Sequence, residues 1–396
     1  MSKSEAQDTS VISPPLQRAS SKTFPIVGIG ASAGGLEAFS TFLRALQPDT
    51  GMAFVLVQHM DPTHESLLKE LLAKQTAMPV IQVKEGMAVE PNCVYVIPPN
   101  SDMTIRDGRL RLVMRDVGVT PHSPIDSFLC ALAEDQQSRA IGVILSGIGS
   151  DGTKGLQAIK AEGGVTFAQD EFSARYSGMP MNAAATGCVD LVLSPDKIAG
   201  ELARMSRHPY LEVTRPTIPP ELSLGKDANL FKILRLLRSA TGVDFTHYKQ
   251  TTIQRRISRR MMVRRCETLG QYVRYLEAYP DETKELFQDV LIHVTAFFRE
   301  PKVLQTLQKI VFPRIIASLP PGEPVRIWVP GCSSGEEVYS IAIALREFLG
   351  ETAMPTGIQI FGTDISDSNI QIARAAIYSQ TSTAGFSSER LKRFFV

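Results

Sequence analysis

The sequence predicts an α/β protein: a doubly wound parallel sheet, then an all-helical subdomain and the start of a second α/β domain. From residue 24 to about residue 206, short apolar runs alternate with segments of helical period. From about residue 226 to residue 318 only the helical period is present, and apolar runs return after residue 319. At least two domains are therefore expected.

The composition is that of an ordinary globular protein. Of 396 residues, 43% are hydrophobic, and 42 basic residues balance 41 acidic ones, so no overall charge draws the chain to nucleic acid or acidic membranes. Five scattered cysteines without C-x-x-C spacing predict neither a zinc site nor a disulfide framework. Without a signal segment or a bilayer-length apolar run, we expect a cytoplasmic location.

The first half of the chain begins with a polar, serine-rich arm (residues 1–23), which we expect to be disordered. An Asp-Gly pair within residues 104–113 predicts an antiparallel hairpin added to the sheet of the domain at residues 24–206. The strand candidates are Ile26 to Gly28, Ala53 to Val57, Val94 to Ile97, Ala140 to Leu145, Val165 to Ala168 and Leu191 to Leu193. The helix candidates are Leu36 to Leu46, Glu65 to Gln75, Ile125 to Asp135, Lys154 to Glu162 and Lys197 to Met205.

A proline-rich stretch, residues 207–225, is typical of a linker. It precedes a helical domain at residues 226–318 and a partial α/β domain at residues 319–396. The helix candidates are Ala228 to Ser239, Thr252 to Arg265, Leu269 to Ala278, Glu282 to His293 and Val303 to Ser318. Strands are expected at Val325 to Val329 and Ile358 to Gly362, with a helix from Glu336 to Leu349 between them.

The most informative stretch is GASAGG at residues 30–35, which follows an apolar run and precedes a helix. It predicts a strand, a tight turn and a helix N-terminus, where Ser32 is surrounded by backbone amides able to hold a developing negative charge. Ser32 is therefore a candidate nucleophile. Two other interpretations stay open: a dinucleotide fingerprint using Gly28, Gly30 and Gly34, and a plain glycine turn with an N-cap serine.

Two further strand ends supply partners for this serine. The second strand runs into His59, and the strand at residues 140–145 runs into a glycine-rich loop containing Asp151. In a parallel sheet these ends share one edge, so Ser32, His59 and Asp151 satisfy the needs of an activated serine. Alternatively, His59, Asp61 and His64 form a metal site, or Asp151 is only a helix cap.

These residues resemble the catalytic domain of the CheB-type chemotaxis protein-glutamate methylesterases over residues 24–205. The motifs are GASAGG at 30–35, QH at 58–59, PP at 98–99, HSPID at 122–126, LSGIGSDG at 145–152, and QDE at 169–171 followed by GMP at 178–180. The resemblance implies that Ser32, His59 and Asp151 form the catalytic triad, without a cofactor, acting on receptor glutamyl methyl esters or glutamine amides. Ile148 stands where the family usually has Met, and no receiver domain is found.

The second half contains an arginine-rich segment, residues 249–265, with seven basic residues and no acid. Helical spacing predicts one packing stripe of Ile253, Ile257 and Met261 beside a positive stripe of Arg256, Arg260 and Arg264. Such a positive face suits an acidic helix, an anionic membrane or nucleic acid, or is merely solvated. The absence of interleaved aromatic residues argues against single-stranded nucleic acid.

A second glycine turn, residues 330–335, leads into a helix that starts with two glutamates. Acidic groups there repel phosphate but suit a cationic ligand, and Asp364 at the end of the next strand is able to hold ribose hydroxyls. An adenosyl sulfonium ligand fits both facts.

The stretch from residue 226 onward resembles the CheR-type receptor glutamate O-methyltransferases. The motifs are RRISRRM at 255–261, VTAFFRE at 294–300, GCSSGEE at 331–337 and GTDI at 362–365. The resemblance implies that Thr295, Arg299, Glu337 and Asp364 contact S-adenosylmethionine and that the arginine-rich helix meets the receptor. Because only two strands of this sheet are predicted, we expect no efficient methyl transfer.

The expected function is a chemotaxis signalling enzyme: a receptor methylesterase fused to the front part of the opposing methyltransferase. Its expected partners are the cytoplasmic helices of chemoreceptors, without nucleic acid or membrane insertion. One alternative is a non-catalytic adaptor that docks on receptors through the arginine-rich helix. Another is a nucleotide-dependent oxidoreductase.

Overall fold

The computed structural model describes residues 24–58, 67–114, 123–212, 228–291, 295–320, 322–350, 357–378, 380–383 and 386–396. The arm at residues 1–23 and most of the expected linker, residues 213–227, lie outside these ranges. Among the described helices, none combines the length and apolar character needed to cross a bilayer.

The first domain is built on a seven-stranded sheet in which all paired neighbours run parallel. Its strands are β1 (Ile26–Ala31), β2 (Ala53–Gln58), β3 (Val80–Gln82), β4 (Val94–Val96), β7 (Ala140–Ile144), β8 (Val165–Gln169) and β9 (Leu191–Leu193). Their spatial order is β3-β4-β2-β1-β7-β8-β9. The helices are α1 (Gly35–Ala45), α2 (Leu68–Ala73), α3 (Pro124–Gln136), α4 (Thr153–Ala161), α5 (Gly178–Ala185), α6 (Pro195–Met205) and α7 (Pro209–Glu212).

The order of the strands reverses between β1 and β7, because the chain first builds the sheet outward from β1 to β2 and later returns to the other side of β1. Strands β1 and β7 are buried along their whole length, with large apolar clusters on both faces of the sheet. This confirms the predicted doubly wound fold. Ligands in such folds bind at the carboxyl ends of the strands where the order reverses.

The predicted hairpin is present as β5 (Ser101–Arg106) and β6 (Arg109–Met114), turning at Asp107 and Gly108, both with positive φ. The expectation that it extends the main sheet is wrong, since the hairpin forms a two-stranded sheet of its own that packs on α3. Strand β3 and helix α5 were not predicted. Pro209–Glu212 of the expected linker forms α7, whose Leu211 is buried.

The helical domain consists of α8 (Ala228–Thr241), α9 (Gln250–Val263), α10 (Leu269–Ala278) and α11 (Pro280–Val290). Its apolar core includes Ile253, Ile257 and Met261, which confirms the predicted packing stripe of α9. The prediction of a solvent-facing arginine stripe is wrong. Arg256 and Arg260 are 4% and 1% exposed, because acidic side chains and helix carbonyls elsewhere in the chain cover them.

The last part of the chain begins with a nearly continuous helical stretch: α12 (Pro301–Thr306), a π-helical segment (Leu307–Val311) and α13 (Phe312–Ser318). Two parallel strands follow, β10 (Val325–Pro330) and β11 (Ile358–Thr363), with α14 (Glu336–Leu349) between them. Helices α15 (Asp367–Ala375) and α16 (Ser388–Phe394) complete the described chain, with a 3-10 turn at Gln380–Thr383. The start of a second α/β domain is therefore confirmed.

Candidate active site and cofactor site

Ser32 lies directly after β1, in the turn that leads into α1. Its backbone N–H donates to the carbonyl of Ser146 at 2.9 Å, and its own carbonyl accepts from Gly35 at the start of α1. Gly34, the N-cap of α1, has φ +75°, and a Cβ there would lie 2.6 Å from Ser146 Oγ. A side chain at position 34 is therefore excluded by both conformation and space.

The loop after β7 packs against this turn. A Cβ on Gly147 would lie 3.1 Å from Ser32 Cβ, so the two loops touch where the strand order reverses. Ser146 joins them further: its hydroxyl donates to Ala33 O at 2.8 Å and accepts from Tyr176 N at 3.0 Å. The close approach of the two loops and the hydrogen bonds of Ser146 together fix the surroundings of Ser32.

Asp151 lies at the end of the same loop and is 8% exposed. Its carboxylate accepts hydrogen bonds from the backbone N–H groups of Ile125 (3.1 Å), Asp126 (2.9 Å) and Gly152 (2.9 Å). The N-terminus of α3 thus supplies two of the three donors. These three bonds from backbone amides fix the orientation of the carboxylate.

His59 lies outside the described residues, as do Asp61 and His64 of the alternative metal site. Gln58, the residue before His59, ends β2 and pairs with Ala31, the residue before Ser32. Within the described ranges, no group of His, Cys, Asp or Glu side chains is arranged to hold a metal ion.

The dinucleotide interpretation is disfavoured by the position of its glycines. Gly28 and Gly30 lie inside β1, not in a turn, and a Cβ on either would meet side chains of α3 at 2.5 and 2.3 Å. These two glycines serve the packing of α3 on the sheet. A pyrophosphate site needs such glycines in the turn itself, where backbone amides are accessible.

Two residues to which the sequence analysis assigned no role support the site. Asp126 is 7% exposed, and its Oδ1 accepts from Gly155 N of α4 at 2.9 Å. Burial raises the pKa of Asp126 to about 6, and the nearby Asp151 carboxylate contributes to the rise. Gln169 is buried at the end of β8 and accepts from Ser146 N at 2.9 Å. Their signal in the sequence is a polar residue at a strand end or helix start.

Two of the four candidate cofactor residues, Glu337 and Asp364, lie next to the N-terminus of α14. Asp364 follows β11, and its two oxygens accept from Ser333 N and Ser366 N, each at 2.8 Å. Glu337 is exposed in the first turn of α14. Thr295 is half-buried and Arg299 exposed, in a segment that Ser340 anchors to α14 by accepting from Phe298 N at 2.9 Å.

The carboxylates of Asp364 and Glu337 fit an adenosyl sulfonium ligand. Each oxygen of Asp364 accepts one amide, which leaves a second lone pair for a ribose hydroxyl. Glu337 adds a carboxylate suited to an amino group or sulfonium. Because Pro330 pairs with Thr363, the turns after β10 and β11 open at the same edge of this small sheet.

Comparison with known protein families assigns most of the described chain. Residues 27–202 match the family described as CheB methylesterase. Residues 228–291 match the all-alpha domain of the CheR methyltransferases, and residues 293–396 match their SAM binding domain.

Individual relatives agree with these assignments. A 104.1 kDa protein of the hypE 3′ region of Rhodobacter capsulatus is 35% identical over 346 residues, which cover 83% of this chain and 36% of that protein. Protein-glutamate methylesterase/protein-glutamine glutaminase 3 of Burkholderia orbicola is 38% identical over 45% of this chain and 52% of its own length. The chain thus spans about a third to a half of these relatives.

Among solved structures, the Thermotoga maritima CheB methylesterase catalytic domain aligns with a TM-score of 0.43 and 29% identity, over 46% of this chain and 99% of that one. Together, the family matches show that this chain joins a CheB methylesterase domain to the all-alpha and SAM-binding domains of the CheR methyltransferases.

Proposed function

We propose that the first domain is a protein-glutamate methylesterase that hydrolyses glutamyl methyl esters, and deamidates glutamine side chains, on the cytoplasmic helices of chemoreceptors. The observation that carries the proposal is the meeting of two loops where the strand order reverses: Ser32 N donates to Ser146 O, and the loop of Ser146 ends in the amide-bound Asp151. The names of the methylesterase relatives support the substrate class.

In the proposed reaction, Ser32 Oγ attacks the ester carbonyl while His59 accepts the hydroxyl proton. Asp151 stabilises the imidazolium, and backbone amides near Ala33 bind the oxyanion. The C–O bond to the methoxy group then breaks, and His59 returns the proton to methoxide, which leaves as methanol. Water repeats the attack on the acyl-enzyme and releases glutamate. With a glutamine substrate the leaving group is ammonia.

The pairing of Ala31 with Gln58 supports the role of His59. Parallel strands end at the same edge of a sheet, so β2 ends at the edge where Ser32 follows β1. No metal or cofactor is required by this mechanism, since the nucleophile, base and orienting carboxylate are all protein groups.

The test is methanol release from a methylated receptor fragment. Ser32→Ala should lower turnover by at least about 10³-fold, because the nucleophile is lost while the backbone of the turn is kept. Ser40→Ala is the matched control: Ser40 lies on α1, where its hydroxyl bonds only Leu36 O in the described contacts. Undiminished turnover of Ser32→Ala would refute the assignment.

For the CheR-type part we propose that Thr295, Arg299, Glu337 and Asp364 hold S-adenosylmethionine, with Asp364 on the ribose. The bound cofactor would supply an electrophilic methyl group. Titration calorimetry of the full chain tests the site: Asp364→Asn should weaken binding by at least about tenfold, since a charge-assisted hydrogen bond is lost. Asp367→Asn, on the exposed first turn of α15, should not weaken it.

The burial of α9 disfavours an adaptor that docks on receptors through this helix. Such an adaptor requires an accessible arginine face on α9, whereas Arg256, Arg259 and Arg260 are buried within the chain. A cytoplasmic receptor-modifying enzyme remains the function that the site supports best.

A further inference from the structure

Helix α9 lies between two apolar cores. One side, with Ile253, Ile257 and Met261, belongs to the core of the helical domain. At its C-terminal end, Met262 and Val263 belong to the same buried cluster as β1, β2 and β7 of the methylesterase domain. A surface helix normally has one apolar stripe. Two buried faces mean that α9 contributes to both domains.

The arginines of α9 bind the end of a methylesterase helix. Arg256 donates to the carbonyls of Lys160 (2.9 Å) and Ala161, at the C-terminus of α4. Arg259 Nε donates to Gly164 O at 2.9 Å in the turn that follows. The last carbonyls of a helix have no partner inside the helix and carry its partial negative charge, so guanidinium groups match them in geometry and sign.

A closed group of four charges completes the contact. Arg259 donates to Asp190 of the methylesterase domain and to Asp289 of α11, and all three side chains are fully buried. Lys160 Nζ lies 3.6 Å from Asp190 and 3.7 Å from Asp289. Burial alone raises the pKa of Asp190, but the charges of Arg259 and Lys160 outweigh it and lower that pKa. The group contains two positive and two negative charges, so it is balanced.

We propose that α9 is an internal clasp: Arg256 and Arg259 hold the helical domain on the methylesterase domain by non-covalent contacts, independently of the intervening residues 213–227. The partner of the arginine-rich helix is thus the methylesterase domain of the same chain. An acidic receptor helix binds this face only after the clasp has opened.

The guanidinium N–H groups of Arg256 and Arg259 are already hydrogen-bonded within the chain, which argues against a free docking surface. Both terminal nitrogens of Arg256 and all three guanidinium nitrogens of Arg259 have acceptors within the chain. A separate acidic partner offers no hydrogen bonds that are not already made. It would also leave Asp190 and Asp289 buried without their cation, which is strongly unfavourable.

The experiment uses the full chain with a site-specific protease sequence inserted within residues 213–227. After complete cleavage, size-exclusion chromatography and light scattering should find both halves in one particle at low micromolar concentration. Elution of two separate particles, each retaining its circular dichroism, would overturn the proposal. The outcome does not depend on esterase activity, so it is separable from the proposed function.

Substitutions identify the contact. Arg259→Gln in the cleavable chain should weaken association of the halves by at least about 100-fold, since two buried carboxylates lose their main cation. Arg274→Gln, exposed on α10 of the same domain, is the matched control and should leave association unchanged. Unchanged association in Arg259→Gln would overturn the clasp. If that variant does not fold, Arg256→Gln, which leaves the four charges intact, should weaken association by at least about tenfold.

Discussion

Replacing Asp151 by asparagine removes one carboxylate oxygen from a site where three backbone N–H groups converge. Oδ1 accepts from Asp126 and Gly152, and Oδ2 accepts from Ile125. Asparagine keeps an oxygen for the first two donors. Its NH₂ group then faces the third N–H, donor against donor.

The expected cost to stability follows from this geometry. One hydrogen bond to a charged acceptor is lost, worth about 1.5–3 kcal/mol. The expected cost to catalysis is larger: an amide at this position favours the wrong imidazole tautomer and no longer stabilises the imidazolium, which lowers kcat by about 10⁴-fold in serine triads. That loss corresponds to about 5.5 kcal/mol, so the catalytic effect exceeds the structural one.

Methanol release at saturating substrate and urea unfolding followed by circular dichroism measure the two effects separately. Asp135→Asn is the control, because Asp135 lies at the other end of α3 and also accepts from a backbone amide, that of Gly108 at 3.2 Å. The control should keep its turnover. If Asp151→Asn retains turnover within about tenfold of the unsubstituted chain, Asp151 does not orient the base.

Three further predictions, each with its own comparison, test the packing and charge of the two domains by urea unfolding. Gly142→Ala places a Cβ 2.4 Å from a leucine of α4 and should lower the free energy of unfolding by about 1–3 kcal/mol. Gly200→Ala, inside α6 with open space around it, should raise the free energy of unfolding by about 0.5–1 kcal/mol. Equal effects of the two substitutions would contradict the close packing of Gly142 against α4. Glu282→Gln leaves two arginines without their shared carboxylate, one of them fully buried, and should lower the free energy of unfolding by about 3–5 kcal/mol. Asp281→Asn, in an exposed ion pair, should leave the urea midpoint of unfolding within error. An equal loss of stability in the two variants would refute the difference between buried and exposed ion pairs. The pKa of Asp126 in the folded state is raised from 3.8 to about 6, so the folded state binds this proton more tightly than the unfolded chain does. The free energy of unfolding should therefore fall by up to about 3 kcal/mol as the pH rises through this interval. The fall should be absent in Asp126→Asn, and an unchanged pH profile in that variant would contradict the raised pKa.

Local patterns were sufficient to predict the parallel sheet and the ends of its central strands. The alternation of β and α segments marks a parallel sheet, and the glycine-rich turns follow two of its strands, β1 and β7. Ser32 and Asp151 were predicted from these turns alone. By contrast, β3 has only three residues, too few for a detectable period. Whether the hairpin joins the main sheet depends on tertiary packing and not on its turn.

The burial of the arginines in α9 was not predictable from the spacing of charges. The helix itself contains no acid, and the partners of Arg259 lie 69 and 30 residues away in sequence, at Asp190 and Asp289. Arg256 binds helix carbonyls, which leave no signal in a sequence. An arginine stripe beside an apolar one therefore predicts a positive face, but not what that face contacts.

Helix α4 connects the clasp to the candidate active site, since it begins after Asp151 and ends at the carbonyls bound by Arg256. Its two ends are nevertheless held by different contacts: Asp126 accepts from Gly155 near the N-terminus, and Asp151 is fixed by backbone amides. Contacts without shared partners act almost independently, so Arg256→Gln should weaken domain association while changing the kcat for methanol release by no more than about twofold. A loss of tenfold or more, with the circular dichroism unchanged, would show instead that losing the Arg256 hydrogen bonds at the C-terminus of α4 affects Asp151.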